Sequence, residues 1–116
     1  MKLLIADDNA ETRKLIRSVV GSLHTIIYES SNGADAVKSY AVNKPDVVLM
    51  DIEMTGMDGI TAMQQILARF PAAKIVIVTA FDNEKLRQRA RDAGALNFVQ
   101  KDNLLVLRKL LAEEYK

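Results

Sequence analysis

Five short apolar runs alternate with five longer segments of helical period, and this alternation constrains the chain more than any other feature. The runs are Lys2–Ala6 (KLLIA), Thr25–Glu29 (TIIYE), Asp46–Met50 (DVVLM), Lys74–Thr79 (KIVIVT) and Asn97–Gln100 (NFVQ). They are rich in β-branched and aromatic residues, and three are apolar on both faces, as parallel strands covered by helices are. Between them, Leu15, Ile16, Val19, Val20 and Leu23 fall on one arc of a first helix. Ile60, Met63, Ile66, Leu67 and Phe70 do the same for a third. Asn32–Gly33 opens the second helix, and Gly94 stands where a left-handed residue closes the fourth. Pro45 and Pro71 fall between elements. A (βα)5 alternation predicts an α/β fold: a doubly wound, five-stranded parallel sheet with helices on both faces and right-handed crossovers.

The length of 116 residues, about half of them apolar, fits one compact domain over 1–116, with no linker, repeat or low-complexity segment. Sixteen basic and fifteen acidic residues give a formal charge of +1. That balance gives no warrant for direct nucleic-acid binding or an anionic membrane as partner. The absence of cysteine removes disulfides, thiol nucleophiles and cysteine zinc sites. The apolar runs fall far short of the roughly 20 residues of a membrane helix. Acids also interrupt the N-terminal run MKLLIADDN too early for a signal peptide. A cytoplasmic setting is the simplest expectation.

In open parallel sheets, ligands bind beyond the carboxyl ends of the strands. Here those ends carry Asp7–Asp8, Asp51, Thr79 and Lys101, while Glu29–Ser30 after the second strand offers no obvious use. Each has an ordinary alternative. Asp8 and Glu11 have capping-box spacing, Thr79 is a typical strand residue, and Lys101 is a typical solvated lysine. Together they are more specific. Two adjacent acids at a buried strand end raise the cost of ionising both, and a divalent cation relieves it. Mg²⁺ favours one or two carboxylates, waters and a substrate phosphate, so Asp7, Asp8 and Asp51 suit an open magnesium site. Thr79 and Lys101 supply a hydroxyl and a point charge for phosphoryl oxygens. No serine lies in a nucleophilic setting and His24 stands alone in a loop, which leaves Asp51 as the candidate nucleophile of an aspartyl-phosphate.

In this order, LLIADDN, VVLMDIEMTGMDG, IVIVTA and FVQK resemble the receiver domain of bacterial two-component response regulators, over the whole chain. The resemblance implies a flavodoxin-like strand order 2-1-3-4-5, as in the chemotaxis regulator. It implies that Asp51 is the phosphoacceptor, served by a phosphohistidine on a sensor histidine kinase or histidine phosphotransfer protein. Asp8 would bind Mg²⁺ directly, Asp7 mainly through water, and the Glu53 backbone carbonyl would complete the protein ligands. Thr79 and Lys101 would hold the phosphoryl oxygens. Phe98 falls at the switch aromatic position, where it changes rotamer as Thr79 moves toward the phosphate; its plain alternative is a core aromatic. Such a domain is no ordinary enzyme, since it catalyses only its own phosphorylation and dephosphorylation. Phosphorylation would change the face formed by the fourth helix, fifth strand and fifth helix, which controls a partner or output domain.

Three positions depart from the family pattern. Thr55 stands where proline is usual, which predicts a less rigid loop after the phosphoacceptor. Asp102 stands where many members have proline, and a cis bond before a non-proline residue is costly. Glu53 places a further charge on the rim, at a position known in the family to tune how long the phosphoryl group lasts.

The fourth helix has little apolar surface (Leu86, Ala90 and Ala93) and carries Lys85, Arg87, Arg89 and Arg91 spread around it. A thinly anchored helix suits a shift between two states. In the last helix, Leu104, Leu107 and Leu111 form one stripe. Val106 and Leu110 form a second, expected to contribute a partner or homodimer surface. The chain ends about one helix after Lys101, without an output domain, as in a stand-alone regulator or a receiver taken from a longer protein. Two rivals remain. DIEMT (Asp51–Thr55) approaches the D-x-D-x-T pattern of haloacid-dehalogenase-like phosphatases, with Glu53 a misfit general acid. A phosphate-independent interaction module on the same fold is the other.

Overall fold

The computed structural model describes residues 1–21 and 26–114. Leu23, His24 and Thr25, expected in the first helix, a loop and the second strand, lie outside the described residues. The elements are β1 (Lys2–Ala6), α1 (Ala10–Val20), β2 (Ile26–Ser30), α2 (Gly33–Asn43), β3 (Val47–Met50) and α3 (Gly59–Arg69). They continue with β4 (Ile75–Thr79), α4 (Glu84–Asp92), β5 (Asn97–Gln100) and α5 (Leu105–Lys109). A 3₁₀ turn over Lys101–Asn103 leads into α5, and a π turn over Leu110–Glu114 follows it.

All neighbouring strands are parallel, in the order β2-β1-β3-β4-β5. The central strands β3 and β4 are buried at every residue, because helices cover both faces. Leu4, Ala6, Val48, Met50, Ile75 and Ile77 face a core closed by residues of α2, α3 and α4. Leu3, Ile5, Val47, Leu49, Val76 and Val78 face the opposite core, closed by Ile16, Val20, Leu104, Leu107 and Leu111. Period-two alternation thus divides each strand between two cores.

Side-chain caps start the helices. The Asn32, Asp58 and Asn83 carboxamide or carboxylate oxygens accept from the backbone N–H groups of Asp35, Thr61 and Leu86 at 2.8, 2.8 and 3.2 Å. The cap of α1 is Asn9, which accepts from Glu11 and Thr12 N–H at 2.9 and 3.1 Å. Asp8 is therefore not the cap that its spacing suggested, and its carboxylate stays free for other work. Gly94 follows α4 at φ +110°, a left-handed conformation that side chains strain to adopt.

Two expectations about helix faces are corrected. Leu15 is 54% exposed, because α1 docks through the narrow stripe Ile16 and Val20, with Val19 partly buried beside them. In the last helix, Leu110 is buried in the core and Val106 is half-buried against it, so they do not form an outward stripe. The side chain that points outward is Leu105, 72% exposed. Leu110 and Leu111 follow Leu107 at three and four residues, so all three share the face that packs on the sheet.

Candidate functional site

The sheet order reverses beside β1, and the loops after β1 and β3 part there. The ladder continues past the strand ends: Asp7 N–H donates to Ser30 O at 3.0 Å and Asp51 N–H to Ala6 O at 2.8 Å. These bonds set Asp7 and Asp51 side by side. One carboxylate oxygen from each of Asp7, Asp8 and Asp51 falls within 4.8 Å of the others. Asp7 and Asp51 are buried, while Asp8 is exposed. Asp7 is held through Oδ1, which accepts from Asn9 N–H at 2.9 Å.

Lys101 enters from the 3₁₀ turn after β5. Its Nζ lies 2.8 Å from Asp7 Oδ2 and 3.4 Å from Asp51 Oδ1. The approach to Asp7 is out of hydrogen-bonding alignment, so Oδ2 is buried beside a charge with no directed donor. Burial works against the Lys101 ammonium, but the ion pairs with Asp7 and Asp51 outweigh it and raise its pKa. Asp51 is pushed up from 3.8 to about 6, first by burial and then by the Asp7 charge, with Lys101 pulling the other way. Three carboxylates against one ammonium leave two negative charges when all are ionised. That surplus and the undirected Oδ2 fit a divalent oxygen-seeking cation such as Mg²⁺.

Thr79 ends β4 fully buried, and its hydroxyl oxygen accepts from Phe81 N–H at 3.3 Å. It is not among the residues that border the cleft in front of the acid cluster. That cleft, about 1000 Å³, is bordered by Asp8, Asp51, Glu53, Thr55, Arg89 and Lys101 among others. The Glu53 side chain is exposed on its rim, as its position suggested. Phe98 is half-buried, packed on the α3/α4 core and capped by the Arg87 guanidinium at 4.8 Å from the ring centre. Lys101–Asp102 is trans; no cis peptide bond occurs among the described residues. The cations of α4 divide as expected of a spread charge pattern: Lys85 and Arg89 line the cleft, while Arg87 and Arg91 border a pocket beside Phe98.

Sequence reasoning missed one group. Glu29, set aside as unused, accepts from Arg13 Nε at 3.0 Å and Arg17 Nη1 at 2.7 Å. Arg13 Nη1 also donates to the Asp7 carbonyl at 2.6 Å. The one-turn spacing of Arg13 and Arg17, directly after the acidic loop, was the available signal.

Comparison with known proteins agrees with this geometry. Residues 3–112 match the response regulator receiver domain family. The chemotaxis protein CheY of Listeria monocytogenes is 39% identical over 102 residues, covering 87% of this chain and 86% of that protein. The transcriptional regulatory protein YhcZ of Bacillus subtilis is 34% identical over 122 aligned positions that take in all of this chain but 57% of YhcZ. A CheX–CheY–BeF3–Mg²⁺ complex from Borrelia burgdorferi contains a chain with 27% identity and a TM-score of 0.86, covering 97% of this chain and 88% of that one. The matched family is a family of signalling switches, which removes the phosphatase suggested by Asp51–Thr55; that stretch also follows the third strand rather than the first. The chain belongs to the receiver-domain family of two-component response regulators.

Proposed function

We propose that this domain is a phosphorylation-dependent switch that takes a phosphoryl group from a phosphohistidine partner onto Asp51. The observation that carries the reading is the joining of Asp51 to Asp7, Asp8 and Lys101 at one sheet edge, with a surplus of two negative charges. In the transfer, an Asp51 carboxylate oxygen forms the new P–O bond as the donor's P–N bond breaks and imidazole leaves. Asp51 titrates at about 6, so near pH 7 it is mostly ionised and remains a stronger nucleophile than an ordinary aspartate. Lys101 turns its ammonium from the carboxylates to the added phosphoryl oxygens. The Thr79 hydroxyl, now accepting from Phe81 N–H, keeps its own proton to donate to those oxygens once it turns. Asp7, Asp8, Asp51 and the Glu53 backbone carbonyl would hold Mg²⁺, which when bound neutralises phosphoryl charge.

Movement of Thr79 is relayed to Phe98, whose outer face is held by Arg87 of α4. The face of α4, β5 and α5 then changes for a partner, an output domain or a second copy of the chain. Donors are a sensor histidine kinase or histidine phosphotransfer protein in the cytoplasm. Beryllofluoride, a phosphoryl mimic, tests the site: with Mg²⁺ it should raise the melting temperature of wild type but not of Asp51→Asn. A crystal of the loaded protein should bring Thr79 and Lys101 onto the bound group. Stabilisation that persists in Asp51→Asn would contradict the reading.

A further inference from the structure

We infer that Arg13 is a positioning residue for the acidic cluster: held by Glu29, it pins the peptide between Asp7 and Asp8 and so sets cation affinity. This rests on the reading of Asp7, Asp8 and Asp51 as a magnesium site. Arg13 lies one turn into α1, with its N–H donating to Asn9 O at 3.1 Å. Its Nη1 donates to the Asp7 carbonyl at 2.6 Å while its Nε donates to Glu29 Oε1 at 3.0 Å. A planar guanidinium can serve two acceptors at fixed directions; an ammonium cannot. Glu29 sits on β2 opposite Ile5, so the second strand anchors the loop that follows the first.

The arrangement separates Arg13 from Arg17. Both bind the Glu29 carboxylate, but only Arg13 reaches Asp7. The Arg13 side chain is 18% exposed and that of Arg17 is 50% exposed. Burial tends to raise the Glu29 carboxyl, yet the hydrogen bonds from Arg17 and Arg13 hold it below its ordinary pKa. Glu29 thus stays an anion and offsets the charge that Arg13 brings near the cluster. The carbonyl that Arg13 holds belongs to the peptide leading into Asp8, so fixing it fixes where the exposed Asp8 side chain departs. The other side of the loop is fixed by the bond from Asn9 N–H to Asp7 Oδ1.

Charge and positioning predict opposite signs. Removing a guanidinium near a cation site tightens binding if charge alone acts. Removing a group that orients the ligands weakens it, commonly by 10- to 100-fold. The test is a calorimetric Mg²⁺ titration of wild type, Arg13→Ala, Arg13→Lys and Arg17→Ala, with each melting temperature measured in chelator. Arg13→Ala should bind at least about 10-fold more weakly than wild type. Arg13→Lys should also be weakened, since it restores charge without the two-pronged geometry. Arg17→Ala should bind as wild type does, although it removes a guanidinium from the same carboxylate. A purely structural role would lower melting temperatures and leave the Mg²⁺ affinities equal, and that result overturns the proposal. So does affinity in Arg13→Ala equal to or tighter than wild type, or an equal loss in Arg17→Ala. If Arg13→Ala does not fold, Arg13→Lys decides, because charge alone predicts no change there. Wild type that binds no Mg²⁺ would sink the magnesium reading and this inference with it, whereas binding that survives Arg13→Ala removes only the positioning role.

Discussion

Asp51 is the residue at which the fold gives up stability. Its carboxyl titrates at about 6 rather than 3.8, so the folded state prefers it neutral. Stability from this preference is full below pH 3.8 and is lost as pH rises through 6. Asp51→Asn is spared that loss. Solvent and Lys101 screen part of that cost, so the substitution should stabilise the metal-free protein by roughly 1–3 kcal/mol at pH 8 and by little at pH 4, read from urea unfolding at both pH values. An equal effect at both would show that the ionised carboxylate carries no such cost. The meeting of Asp7, Asp8, Asp51 and Lys101 was legible in the sequence because each ends or follows a strand, and parallel strands bring their ends together, whereas Thr79 ends its strand buried and outside the cleft lining. The link from Arg13 through Glu29 to Asp7 was not legible, because it depends on where α1 lies across β2. Asp8 was partly misread: cap spacing alone could not show that the neighbouring Asn9 takes that role.

The elements place these residues, and the misread faces come from how much of each helix the sheet covers. The last helix was read as one continuous α-helix, which put Val106 and Leu110 on an outward stripe. Leu110 instead lies three residues after Leu107 and shares its inward face, so it is buried in the core, and Val106 is half-buried beside it. Leu110→Glu should therefore unfold the protein or cost at least about 3 kcal/mol, since it buries an unpaired charge. Leu105→Glu, on a side chain 72% exposed, should change stability by less than about 0.5 kcal/mol, measured in the same thermal or urea experiment. The start of α3 is equally strict. A Cβ at Gly59 would run into the Asp51 backbone carbonyl, and Gly59 N–H donates to Ile52 O at 2.8 Å. Gly59→Ala should push the end of β3 away from α3, lowering the melting temperature and weakening Mg²⁺ binding together. On the α4 side, the Arg87 guanidinium over Phe98 contributes about 0.5–1 kcal/mol, a modest hold that suits a ring meant to move.

At the scale of the whole molecule, five parallel strands and two layers of helices serve to converge residues that are distant in sequence. Asp7 and Lys101 come from opposite ends of the chain and meet at 2.8 Å. This convergence followed from the (βα)5 alternation, and only the strand order needed the family resemblance. The cluster binds its cation through ionised carboxylates, so Mg²⁺ should raise the melting temperature more at pH 8 than at pH 5, where Asp51 is mostly protonated. Phosphoryl transfer to Asp51 is tested by incubation with a small phosphodonor, with and without Mg²⁺, followed by mass mapping of the modified residue. One phosphoryl group should be added, on Asp51, formed only with Mg²⁺ and absent from Asp51→Asn. Labelling without metal, labelling that survives the substitution, or no labelling at all would contradict it, and the last would favour a phosphate-independent interaction module.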